Sequence, residues 1–87
     1  MRFRDLAVFR EQRFALGFDN NTGKHYLSIP VVNRLIEYDE YYEINRQTFD
    51  EWVFDHSAAA AFAERARRRE LDHLLILSPG SDRGEPT

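Results

Sequence analysis

The sequence predicts an α+β domain: a three- to four-stranded antiparallel meander packed against one or two helices in the C-terminal half, with a short final strand. Three features of the residue order lead there. Apolar side chains alternate with polar or small ones through residues 13–18 and 25–32, the period of two that a half-buried strand requires. Turn-forming Asn, Thr and Gly residues separate these runs. From Phe49 onward the apolar spacing changes to three and four, the period of a helix with one buried stripe.

Residues 1–12 fit either a short strand or a turn of helix, because Phe3, Leu6, Ala7 and Arg10 share a helical face while Leu6 and Val8 alternate with Ala7 and Phe9. Phe14, Leu16 and Phe18 then mark a strand, and Asp19-Asn20-Asn21-Thr22-Gly23-Lys24 reads as the loop of a hairpin. The return strand runs from about His25 to Val32, with Leu27, Ile29 and Val31 on one face. Pro30 has no N–H to donate, which demands either an unpaired side or a bulge at that position. A tight turn at Asn33-Arg34 leads into a third strand, Leu35 to Ile44, completing a meander.

Thr48-Phe49-Asp50-Glu51 has the spacing of a capping box, so a helix is expected to start at Phe49, with Phe49, Trp52 and Val53 facing the core. Ser57 is placed to cap a second helix, either separate or continuous through a kink at Asp55-His56, whose Ala59, Phe62, Ala63 and Ala66 form a narrow stripe. Leu74 to Leu77 reads as a short buried strand, with the centre of the sheet as one place for it. Residues 1–77 thus form one domain, and the Pro/Gly-rich segment 78–87 is a flexible polar tail unless docked.

At 87 residues the chain is long enough for one hydrophobic core and too short for two. A hydrophobic fraction of 43% with seven Phe, four Tyr and one Trp is far above that of a disordered chain. No apolar run approaches bilayer length, and Arg10, Glu11 and Arg13 interrupt the N-terminal segment before a signal h-region develops, so a cytoplasmic location is expected. The absence of cysteine excludes disulfides, thiolate metal sites and thiol nucleophiles.

His25, His56 and His73 stand outside zinc-binding spacings, and the aspartates preceding His56 and His73 do not face them on a regular element. The serines lack a nucleophile elbow, and the glycines form neither a P-loop nor a dinucleotide fingerprint. No catalytic residue, metal or cofactor is expected. Charge distribution is the informative feature. Residues 37–55 carry Glu37, Asp39, Glu40, Glu43, Asp50, Glu51 and Asp55 against the single base Arg46, in a chain whose net charge is only -3.

On a strand, Glu37, Asp39, Tyr41 and Glu43 project from one face, whereas Glu40 points with the apolar set unless a bulge re-aims it. A carboxylate-rich face is either a solvated surface that keeps a small domain soluble or a site that steers a cationic protein partner, with tyrosines as anchors. The partner-binding residues expected on the second reading are Glu37, Asp39, Glu40, Tyr41, Glu43, Asp50 and Glu51. Two alternatives stay open: a homo-oligomer formed through the strand carrying Pro30 or through Leu74 to Leu77, and nucleic-acid binding through the basic Arg65–Arg69 cluster.

The stretches Arg13-Phe14-Ala15-Leu16-Gly17-Phe18-Asp19, Tyr26-Leu27-Ser28-Ile29-Pro30-Val31 and Tyr38-Asp39-Glu40-Tyr41-Tyr42-Glu43-Ile44 together resemble a group of small uncharacterised bacterial proteins associated with the immunity proteins of polymorphic or contact-dependent toxin systems. The resemblance covers residues 13–77 and implies a single-domain inhibitor, without enzymatic activity of its own, that masks a basic toxin such as a nuclease.

Overall fold

Leu27, Ile29 and Val31 can leave water together only if a neighbouring layer covers their side of the strand, and this requirement organises the fold. A computed structural model describes residues 1–87. Strands β1 (Phe3–Phe9), β2 (Phe14–Asp19), β3 (Lys24–Val32) and β4 (Glu37–Ile44) form an antiparallel meander in chain order. Helices α1 (Arg46–Phe54) and α2 (Ser57–Arg67) follow, then a 3-10 turn at Asp72–Leu74 and a two-residue strand β5 (Glu85–Pro86). No helix is long and apolar enough to cross a membrane.

Register places Leu27 between Leu16 and Tyr42, and this side of the sheet meets the helices. The core joins Phe14, Leu16, Leu27, Ile29, Val31, Tyr42 and Ile44 to Ala59, Ala63, Ala66 and Leu71. The three alanines lie at i, i+4 and i+7 of α2, one face of a helix whose small side chains let its backbone approach β3 closely. Trp52 and Phe62 meet at 5.1 Å between ring centroids and close the helix layer from the side. Within residues 1–12, open between strand and helix, Phe3–Phe9 form the edge strand β1, with a register shift between Asp5 and Ala7 that leaves Leu6 outside the pairing.

Pro30 sits in the interior strand β3 without a bulge in its pairing to β4. The N–H and C=O of one strand residue point the same way, and Pro30 O accepts from Thr87 N, so the proline nitrogen faces away from β4. It faces the place where β2 ends, and β5 continues that line by pairing Pro86 with Val31 and Glu85 with Val32. A strand carrying Pro30 at the sheet edge is therefore ruled out, because β3 has neighbours on both sides.

Further expectations are corrected. Helix α1 starts at Arg46, not Phe49: Asn45 follows directly on β4 and its Oδ1 accepts from Thr48 N at 2.8 Å, so the cap forms before Thr48 is reached. Val53 is exposed rather than core-facing, although Phe49 and Trp52 pack as expected. Ser57 does not cap α2: it is the first residue of that helix, and His56 holds the cap position without a side-chain bond. Of the two arrangements left open the helices take the separate one, because Asp55 has extended backbone and its carboxylate accepts from both the N–H and the hydroxyl of Ser57.

Leu74 to Leu77 is not a central strand. Leu75 makes one bridge to Tyr42, Ile76 N donates to Tyr41 O at 2.9 Å, and Leu77 is 47% exposed. The central positions are already filled by β2 and β3, so this segment finds only the outer edge of β4.

The segment 78–87 is docked in its second half. Arg83 reaches Glu40 and Asp72, Gly84 N donates to Tyr38 Oη at 2.6 Å, and Arg69 Nη2 donates to Gly84 O at 2.8 Å. Arg69 holds φ 60° where α2 ends, with Glu70 N bonded to Arg65 O and Arg69 N to Ala66 O, a Schellman ending with arginine in the position glycine usually takes.

Candidate partner-binding face

The side of the sheet away from the helices carries no covering element, yet Tyr26 at its centre is fully buried. Its own strands bury it. Gly17 is directly opposite Tyr26, and a Cβ there would run into both the Tyr26 phenol and the Arg4 carbonyl oxygen. The phenol therefore lies across Gly17 toward β1, where Tyr26 Oη donates to Asp5 Oδ1 at 2.7 Å. Phe3 from β1 and Tyr41 from β4 close over it, stacked with ring centroids 3.8 Å apart and each edge-on to Tyr26. The two edge strands are thus linked above the sheet by one aromatic pair, which requires a strongly curled sheet.

Around this pair stand the carboxylates. Glu37, Asp39, Tyr41 and Glu43 share the open face as the alternation of β4 predicts, opposite Val32, Pro30, Ser28 and Tyr26. Asp5 joins them from β1. Partial desolvation by the crowded sheet face, then the nearby charges of Asp5 and Glu37, raise the carboxyl of the exposed Asp39 above its ordinary value. Burial, then the charges of Asp39 and Asp5, push the Tyr41 phenol up to about 12. Asp5, Glu37 and Asp39 form no ion pair, whereas Glu43 meets Lys24 at 3.1 Å.

The other expected residues lie elsewhere. Glu40 points into the helix side without any bulge, 7% exposed, and receives Arg83 Nε at 2.7 Å and Arg83 Nη2 at 3.0 Å, together with the Tyr42 hydroxyl at 3.0 Å. Asp50 and Glu51 are on α1, across the sheet from the open face, where Asp50 lies 3.8 Å from Arg46 and Glu51 accepts from Gln47. The structure thus gathers Glu37, Asp39, Tyr41 and Glu43 and separates Glu40, Asp50 and Glu51 from them.

Phe3, Asp5, Tyr26 and Ser28 belong to this face and lie outside the residues expected from sequence. A period-two pattern over residues 3–9 is the only local signal that puts Phe3 and Asp5 together. The alternation of β3 puts Tyr26 and Ser28 on this face, but the burial of Ser28 has no local signal, since it comes from its neighbours Ala15 and Tyr41 on the adjoining strands.

The basic cluster is internally engaged. Arg65 and Arg68 meet Glu70, Arg67 meets Glu64 and the carbonyls of Gln12 and Arg13, and Arg69 meets Glu85. His25 packs between the rings of Phe18 and Phe49, and His56 stacks on Phe9. Comparison of the chain with protein-family models, with curated proteins and with solved structures returns no match.

Proposed function

We propose that the protein is a binding module for a cationic protein segment, which docks on the open sheet face. The observation that carries this reading is the unpaired state of Asp5, Glu37 and Asp39 around the Phe3–Tyr41 stack, on a face that no helix covers. Like charges on one sheet face oppose folding, and an opposite charge from a partner relieves that repulsion. The aromatic pair supplies rigid contact area next to the charges. An inhibitor that masks a basic protein, as the immunity-protein resemblance implies, is one form of this function.

The reading is tested by capturing basic proteins on the tagged chain at low and high ionic strength, beside the double substitution Asp39→Lys and Glu43→Lys. A partner bound at low salt, released at high salt and absent from the double variant supports it. Capture unchanged in that variant excludes the face. The intramolecular pairing of every arginine in the Arg65–Arg69 cluster speaks against the nucleic-acid alternative. A second reading, pairing of two copies through β1, is favoured by that strand's open edge and by Leu6 and Val8, both more than half exposed. Sedimentation separates the two, since an edge-paired dimer survives high salt.

A further inference from the structure

Where β1 and β4 curl toward each other, the open face deepens into a recess of about 290 Å³. Its floor is Ala15 and Ser28, with Asp5 on one wall, Glu37 and Asp39 on the other, and Val8 and Pro30 as apolar lining. The volume is at the low end for small-molecule sites and suits one side chain.

Ser28 adds an observation independent of the acids. It is 97% buried, given its relative exposure of 3%, and it lines the recess, yet none of the protein's hydrogen bonds uses its hydroxyl. Buried hydroxyls are normally partnered. No polar side-chain atom sealed off from the surface lacks a partner in this protein, so what access the Ser28 hydroxyl keeps is through the recess. Its hydrogen-bonding capacity is unused at the bottom of a cavity whose walls carry three carboxylates without ion pairs.

We propose that the recess receives the guanidinium of a single arginine side chain presented by the cationic partner, which rests on the reading of the open face given above. The acceptors come from three strands: Asp5 on β1, Ser28 on β3, Glu37 and Asp39 on β4. A planar guanidinium with five N–H donors bridges acceptors spread in this way, whereas a compact ammonium reaches fewer of them. The methylene stem lies against Val8 and Pro30, as arginine stems do on apolar surface. Arg10 and Arg13 stand at the turn end of the recess; Arg13 is held by the Thr87 carbonyl and hydroxyl, and neither makes an ion pair with the recess acids, whose acceptors stay free for a guanidinium from outside.

The test is an NMR titration of the full chain with N-acetyl-arginine amide, beside the lysine and citrulline analogues and free arginine. The arginine amide is expected to shift the amides of Ala15, Ser28 and Asp39 saturably, the lysine amide to bind several-fold more weakly and citrulline not at all. Asp39→Asn should weaken the arginine amide about tenfold, the loss of one charged hydrogen bond, and Ser28→Ala by a few-fold; thermal melts confirm that both variants fold.

No saturable shift, shifts confined to other residues, or equal binding of citrulline overturns the proposal. Free arginine binding more than about tenfold tighter than the amide, a 1.4 kcal/mol preference, overturns the side-chain source in favour of a small molecule. If a basic protein binds through Asp39 and Glu43 while the arginine amide does not, the recess fails and the face reading stands. If the amide binds and no cationic protein does, the reverse holds.

Discussion

The two faces of this sheet are made by the same strands, yet their carboxylates differ: the buried ones, Glu40 and Asp19, each meet an arginine, and the exposed Asp5, Glu37 and Asp39 of the open face do not. On the helix side the one buried carboxylate, Glu40, is matched by a forked arginine and a phenol, and Arg83 also ties it to Asp72. On the open side three exposed carboxylates stand without an ion pair around a recess that Arg10 and Arg13 also line, beside a tyrosine whose hydroxyl is committed to one of them. A chain that brings an arginine 43 positions to Glu40 leaves the exposed acids of the open face without such a pair, and under the function proposed above a partner would supply their counter-charge.

Arg83→Ala disturbs this arrangement most. Removing one member of a buried pair leaves an uncompensated charge and is expected to destabilise by about 3 kcal/mol, read from urea unfolding, with release of the Glu85–Pro86 strand seen by hydrogen exchange. Adding Glu40→Gln to that variant should recover part of the loss. Gly17→Ala tests the architecture of the open face. The new methyl displaces the Tyr26 phenol or the β1 backbone and should lower stability by about 2 kcal/mol, and aromatic NMR spectra should show the Phe3 and Tyr41 rings no longer stacked.

Paired and unpaired acids should also answer pH with opposite signs. Asp19 is buried, and the Arg2 guanidinium, the Thr22 hydroxyl and the Asn21 N–H hold its carboxyl well below the usual carboxylate range. Its stabilisation is therefore present above the unfolded value near 4 and fades as pH falls below it. Asp19→Asn should flatten the acid limb of the stability profile, and an unchanged limb would show that the pair contributes nothing. Asp39 is raised, so its charge opposes folding above the carboxylate range and the penalty disappears as pH falls. Asp39→Asn is accordingly expected to stabilise slightly at neutral pH, by less than about 0.5 kcal/mol for an exposed position, with the gain vanishing in acid.

Much of the fold is legible in residue order. Phe14, Leu16 and Leu27, Ile29, Val31 alternate with nearly no interruption, and Ala59, Ala63 and Ala66 keep helical spacing, so the meander and α2 follow from local periodicity. Thr48 misleads because capping is a competition between neighbours, and Asn45 reaches a free N–H first. Leu74 to Leu77 misleads because an apolar run signals burial without saying where space remains. Along the acidic segment, alternation separates Glu40 from Glu37, Asp39 and Glu43 correctly, but only proximity along the chain joins Asp50 and Glu51 to them.

Residue order alone is therefore enough for the meander, the two helices, the apolar side of each strand and the acidic character of one face of β4. Those are properties of periods of two and 3.6 residues and need no knowledge of distant neighbours. Folding in three dimensions adds what those periods do not contain: that Phe3 stacks on Tyr41 across the sheet, that Asp5 stands with Glu37 and Asp39, that Arg83 closes on Glu40, and that Ser28 lies unpartnered at the floor of a recess. Each depends on how far the sheet curls and on which segments meet after long loops close. Those outcomes are set by the packing of the whole chain, and no local pattern encodes them.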